Sequence, residues 1–191
     1  MTVDAAAGAT RRTLLGRAAL LASGGLLFGP AGGALADTAT DISSFEAAVA
    51  LEQALAVAYE SLAGRRGIDR ELRSLFGVLA GHEHQHAAAL LSLVEYLGGA
   101  PPTQPTLAAT EQALPGLHEA TDRRSALVFA ERLENAEVNG FYLAEQHLDD
   151  LKLMQLAAAV MCSDAQHLAL IRQAAGGDPI PAAFEVGRES R

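Results

Sequence analysis

Three histidines and a glutamate fall within residues 81–86, "GHEHQH". Imidazole nitrogens and carboxylate oxygens are donors that hold transition-metal ions. The stretch therefore raises a metal site against a plainer reading, a polar patch on a helix surface. Helix geometry thins the choices. Residues two apart point to different sides of a helix, so His82, His84 and His86 cannot all serve one ion. Glu83 with His86 (i, i+3) and His82 with His86 (i, i+4) do share a face. One such pair is a weak signal, and its weight depends on what the rest of the chain supplies.

The chain supplies it twice. "LEQALAVAYE" (51–60) aligns with "LENAEVNGFY" (133–142) at an offset of 82, which sets Glu52 on Glu134 and Tyr59 on Phe141. "EHQHAAALL" (83–91) aligns with "DAQHLALIR" (164–172) at an offset of 81, which sets Glu83 on Asp164, Gln85 on Gln166 and His86 on His167. Each half thus carries an acid in one segment and acid-x-x-His in the next.

Helices must position these residues. Half of the 191 residues are hydrophobic, 5% are aromatic and Trp is absent. Such an Ala- and Leu-rich chain favours helices over sheets. "SSFE" at 43–46 reads as a capping box, Ser43 with Glu46, opening a helix that runs to about Gly64. Asp69 caps a second helix that stops at Gly98-Gly99, and Thr121 or Asp122 opens a third that ends near His147. Asp149 starts a fourth, stopping at Gly176-Gly177. The turns inside each pair are short, "GRRGI" and "HLDD", so each pair is expected to be an antiparallel hairpin. The join between the pairs, residues 98–120, is Pro-rich, has room for at most a short helix and is long enough to cross the length of a bundle.

This assignment makes an independent check available. Glu52 lies 14 residues before a first turn centred near Arg66, and Glu83 lies 17 after it. Glu134 lies 15 before a second turn centred near Asp149, and Asp164 lies 15 after it. At about 1.5 Å per residue all four acids sit roughly 21 to 26 Å from a turn, at one level. Glu52 is also the only charged residue between Ala47 and Ala58, with no basic residue at helical spacing in that run. A buried carboxylate needs a cation or a proton. The plainer reading is that Glu52 opens onto solvent through a gap in the alanines.

With these residues in view, the chain resembles the ferritin-like di-metal carboxylate superfamily, whose motif is one Glu from each of two helices and Glu-x-x-His from each of the other two. The resemblance covers about residues 43–176 and implies a ferritin-like four-helix bundle, two antiparallel hairpins joined by a long crossover, occupying residues 37–177. It implies two iron ions or two manganese ions held by Glu52, Glu83, His86, Glu134, Asp164 and His167. Asp164 departs from the usual Glu and is one methylene shorter, which puts its bridging role in question. Glu137, one turn beyond Glu134, is a further candidate ligand or else a polar rim residue. Tyr59, two turns from Glu52, is the candidate catalytic residue or else a core aromatic. His82 and His84 are bystanders or touch the ligands from outside, Cys162 is expected in the core, and His118 and His147 at the surface.

Other features bound the function. A net charge of -9 argues against nucleic acid or an anionic membrane surface as the main partner. The single cysteine, Cys162, excludes an intrachain disulfide, a cysteine-based cluster and a rubredoxin-type centre. Residues 1–36, with Arg11-Arg12, a Gly-broken apolar run and Ala34-Leu35-Ala36, resemble a twin-arginine export signal; an ordinary secretory signal or an uncleaved anchor are the alternatives. The expected partners are metal ions, a small oxidant and, during export, the twin-arginine translocase, with the protein ending in the periplasm, cell envelope or outside the cell. A homo-oligomer is compatible with the resemblance. Residues 178–191 read as a non-helical tail. Three functions remain open at this stage: a redox protein acting on oxygen, peroxide or ferrous iron; a metal store; and a metal-free ferritin-fold structural or stress-related envelope protein.

Overall fold

The computed structural model describes residues 38–146, 148 and 150–187, with side chains from residue 42. The export-signal segment 1–36 and the readings of His147 and Asp149 lie outside them. The described residues form five helices and no strand: α1 (Thr38–Gly64), α2 (Arg70–Tyr96), α3 (Leu107–Ala113), α4 (Arg123–Glu145) and α5 (Leu151–Ala174). α1 packs along α2 and α4 along α5; α2 also meets α5, and the short α3 lies against α1. No helix among the described residues is long and apolar enough to cross a membrane.

Side-chain caps set most helix starts. Asp69 accepts the Leu72 N–H at 3.0 Å at the head of α2. Asp122 and Ser125 exchange bonds in a capping box at the head of α4. Two expectations need correction. α5 is capped by Asp150, which accepts from Lys152 and Leu153 one residue later than predicted. The Ser43 capping box does not form, because α1 runs on upstream to Thr38. No Gly or Pro interrupts residues 38–42, so nothing holds Ser43 in the non-helical conformation that a cap requires. Glu46 instead accepts the Ala100 N–H at 2.9 Å and fastens the start of the crossover to α1.

Arg123 gathers three helix ends. It donates to Asp69 at 2.6 Å and to the Ala174 carbonyl at 2.7 Å, joining the heads of α2 and α4 to the foot of α5. Arg65 donates to the Ala120 carbonyl at 2.9 Å and so holds the end of the crossover to the α1–α2 turn. The tail has no helix through residue 187. It is nonetheless docked: Arg172 of α5 reaches Glu185 at 2.5 Å, and Asn139 donates to the Val186 carbonyl at 2.9 Å.

Two apolar clusters fill the interior. One contains Leu55, Tyr59, Leu62, Phe76, Leu117, Phe129 and Ile171. The other contains Phe45, Val49, Leu90, Phe141, Leu153 and Val160. In every long helix the site residues fall between members of the two clusters, so the core is divided by a polar layer.

The α1–α2 turn has a tight approach. A Cβ on Gly67 would lie 2.1 Å from the Thr121 carbonyl oxygen, whereas one on Gly64 would meet nothing within 4 Å. Gly67→Ala is therefore expected to destabilise by about 1–3 kcal/mol, because backbone must shift. Gly64→Ala should be neutral or stabilise by up to about 1 kcal/mol. Urea unfolding of both variants checks the pair; equal effects would contradict the close approach.

Candidate metal centre

Glu52 comes from α1, Glu83 and His86 from α2, Glu134 and Glu137 from α4, and Asp164 and His167 from α5. The structure brings all seven into one region. Three groups of ligand atoms lie mutually within 4.8 Å: Glu83, Glu134, Asp164 and His167; Glu52, Glu83 and His86; and Glu52, Glu137 and Asp164. All five carboxylates are buried, with Glu52 at 0% exposure, so it does not open through a gap in the alanines. Glu52, Glu83 and Asp164 each belong to two groups, so the shorter Asp164 still reaches more than one of them.

Histidines mediate every ion pair these acids make among the described residues. His86 Nδ1 lies 3.0 Å from Glu83, 3.4 Å from Glu52 and 3.5 Å from Asp164. His167 Nδ1 lies 3.1 Å from Glu83, 3.4 Å from Glu134 and 3.9 Å from Asp164. No lysine or arginine reaches them; Arg172, buried nearby, is taken up by Glu131, Asn135 and Glu185. Both oxygens of Glu52, Glu137 and Asp164 lack a hydrogen-bond partner, as do Glu83 Oε1, Glu134 Oε2 and His167 Nδ1. His167 Nδ1 is thus close to three carboxylates yet aligned with none of them. Apart from His86 Nδ1, which bonds Glu83 Oε2 at 3.0 Å, these donor atoms converge without bonding one another, which fits a cation between them, and carboxylate with imidazole is the donor set of iron and manganese sites.

Without such a cation, protons must compensate. Burial, then the charges of neighbouring acids, holds the Glu52, Glu137 and Asp164 carboxyls well above the ordinary range. Burial also raises Glu134. Glu83 is the exception: burial would raise it, but His167, His86 and Glu52 pull it down to about 2. Burial would lower His167, but Glu134 and Glu83 push it up to about 10. Without metal, Glu52, Glu134, Glu137 and Asp164 are thus biased toward the neutral acid, and Glu83 with His167 toward the charged pair.

Tyr59 donates its hydroxyl to Glu134 Oε1 inside the layer. Burial and then the adjacent Glu134 raise its pKa far above the ordinary value, so it stays a phenol. Its ring stacks on Phe76 with centroids 5.7 Å apart. Glu137 is buried within the layer, not at a polar rim. His84 is exposed and pairs with Glu60 at 2.8 Å, a bystander to the layer, and His118 is exposed as expected. Gln85 and Gln166, matched in the repeat, only bond the carbonyls four residues back. Cys162 corrects an expectation: it is exposed, because Asp164 two residues on points inward and a helix turns Cys162 the other way. Sequence reasoning left His82 undecided. It bonds His167 across the protein at 2.9 Å, and its only sequence signal was the i, i+4 spacing to His86.

A family model described as ferritin-like domain matches residues 40–177. The chain belongs to the ferritin-like domain family. The carboxylate–histidine layer of this ferritin-like chain is built from four of its helices, inside the matched span. No curated protein and no solved structure gave a significant match.

The protonation pattern sets a pH dependence. Glu52, Glu134, Glu137 and Asp164 keep protons that the unfolded chain releases above the ordinary carboxylate values, so their contribution is lost as pH rises through the raised folded values. His167 acts in the same direction between its ordinary 6.5 and about 10. Glu83 acts oppositely, but only as pH falls from 4.5 toward about 2. The chelator-treated protein should therefore melt at progressively lower temperature from about pH 5 to about pH 9. Iron or manganese should flatten that slope by replacing the protons. A metal-free melting temperature that rises over this range would contradict the assignment.

Proposed function

We propose that this chain is a ferritin-like four-helix bundle protein, two hairpins joined by a crossover, that holds two iron or two manganese ions and reacts with dioxygen, peroxide or ferrous iron. The observation that supports it most is the set of buried, unpartnered carboxylate oxygens contributed by four helices. A bound pair of such ions supplies reversible electron transfer to a small oxidant.

The chain's own residues divide the work. Glu52, Glu83 and Asp164, each in two ligand groups, would be the carboxylates within reach of both ions. His86 would serve one side and His167 the other. Glu137 adds a carboxylate beside Glu52 and Asp164, which favours higher cationic charge there. The Tyr59 hydroxyl holds Glu134 and keeps a proton inside a buried layer. His86, with 12% of its side chain exposed against 0–1% for the ligands around it, marks the side on which a small oxidant has access.

Elemental analysis of protein purified without a histidine tag should find about two iron or manganese ions per chain. Glu52→Gln, nearly unchanged in volume, and Asp164→Ala should each remove most of that content. The metal-free Glu52→Gln protein should melt no lower than metal-free wild type, because a carboxyl kept in an unfavourable place has become an amide. No uptake by wild type after reconstitution would defeat the reading and favour a metal-free structural role.

We further propose export by the twin-arginine route, supported by Arg11-Arg12 and the Ala34-Leu35-Ala36 boundary. Replacing both arginines with lysine should leave the protein in the cytoplasm. Unchanged export in a fractionation experiment would assign it to another route.

A further inference from the structure

His82 is not required by any ligand group, yet it makes the closest contact to a site histidine from outside the layer. Its Nδ1 lies 2.9 Å from His167 Nε2. The two ring centroids are 5.1 Å apart and the rings are inclined by 23°. Two imidazoles joined by a linear N–H···N bond of that length have centroids about 5.2 Å apart. The nitrogens therefore lie on the line between the rings, and the contact is a hydrogen bond, not a face-to-face stack.

We propose that His82 is the positioning residue of His167: its unprotonated Nδ1 accepts the His167 Nε2–H and so reserves His167 Nδ1 for the metal. The proposal rests on the di-metal reading above. A neutral histidine has one N–H, and the nitrogen that binds metal must be the other. With an ion among Glu83, Glu134 and Asp164, His167 Nδ1 faces that ion, so the one proton left on His167 belongs on Nε2. That proton needs an acceptor in a nearly buried place. His82 Nδ1 provides one at 2.9 Å, while Ser163 Oγ stands at 3.5 Å. The His82 proton then sits on Nε2, and His82 is half-buried, so no donor is stranded in the core. The opposite tautomer of His82 would donate to His167 Nε2 and force the His167 proton onto Nδ1, into the space meant for the ion. The tautomer of His82 thus decides whether His167 can ligate.

The arrangement is one-sided. At the offset of 81 the residue matching His82 is Ser163, which lies beside His167 on its own helix instead of reaching His86. Among the described residues no side chain bonds His86 Nε2 in the way His82 bonds His167. One of the two histidine ligands is oriented from outside and the other is not.

Two measurements test this. In the metal-free full chain, nitrogen-15 NMR correlations should find neutral His82 in the Nε2–H tautomer, with Nδ1 unprotonated. In metal titrations with iron(II) and manganese(II), His82→Ala should weaken one of the two ions by about 10- to 100-fold. His82→Asn should recover most of the loss, because its amide oxygen can accept at the place of Nδ1. Metal-free His82→Asn should melt close to wild type, so its recovered affinity is read at unchanged fold stability, whereas His82→Ala, which strands the His167 Nε2–H, is expected to melt lower. His82 found in the Nδ1–H tautomer, unaltered affinity in His82→Ala, or an Asn variant no better than Ala would each overturn the proposal. A wild-type chain that takes up no metal would remove the di-metal reading by itself. The spectra of the metal-free protein would still decide whether the His82–His167 bond has the stated direction.

Discussion

Five carboxylates withdrawn from water at one level are the constraint that everything else in this protein answers to. Taking one ion out of water has an effective penalty of several kcal/mol even after relaxation. Nothing apolar can offset five such penalties locally. The layer escapes them in either of two ways: by binding protons, which leaves mostly neutral acids around the Glu83–His167 pair, or by binding cations. Histidine is the suitable partner because it can give up its proton and become a ligand. A lysine or arginine in the same place would neutralise charge permanently and close the site.

The rest of the fold can be understood as support for that layer. Apolar clusters lie on both sides of it, and the alanines of α1 admit its neighbours closely around Glu52. A charged layer offers little packing energy of its own, so its geometry must be imposed from elsewhere. Much of this is done at the helix ends. Arg123 holds three of them, Arg65 holds the crossover, and Glu46 fastens the crossover's other end. Arg172 shows the same rule applied to a cation: buried among Glu131, Asn135 and Glu185, it is satisfied by the tail and drawn away from the acids.

The site was legible in sequence to the extent that it is repeated. Glu52, Glu83, His86, Glu134, Asp164 and His167 were identified from two offsets and a common depth, which need only helical rise and residue type. Glu137 has no acidic counterpart, since the repeat places Leu55 there, and it was visible only as a neighbour one turn from Glu134. His82 and Arg172 act through contacts 85 and 13 residues away, and no local pattern encodes those. Helix starts divide similarly. Asp69 and Asp122 could be read because turn residues precede them, whereas the Ser43 motif was overridden by helix-compatible residues upstream. Cys162 is exposed although its residue type favours burial, because the helix that turns Asp164 inward turns the residue two positions earlier outward.

Besides Asp164 in place of Glu83, three departures from the repeat bear on the layer. Tyr59 stands where the other half has Phe141, and it bonds Glu134; His82 stands where the other half has Ser163, and it bonds His167. Both are uncharged hydrogen-bonding groups, and both serve the Glu134–His167 side. The third departure, Glu137 against Leu55, adds negative charge beside Glu52 and Asp164. One side of the layer is thus held in orientation and the other is enriched in carboxylate. Orientation fixes ligand geometry across changes of charge, while an extra carboxylate stabilises the more highly charged state of whatever it faces. Two positions related by a repeat have therefore been made chemically unequal while both stay on helices that carry the layer. Under the di-metal proposal, such inequality lets the two ions differ in how firmly each is held.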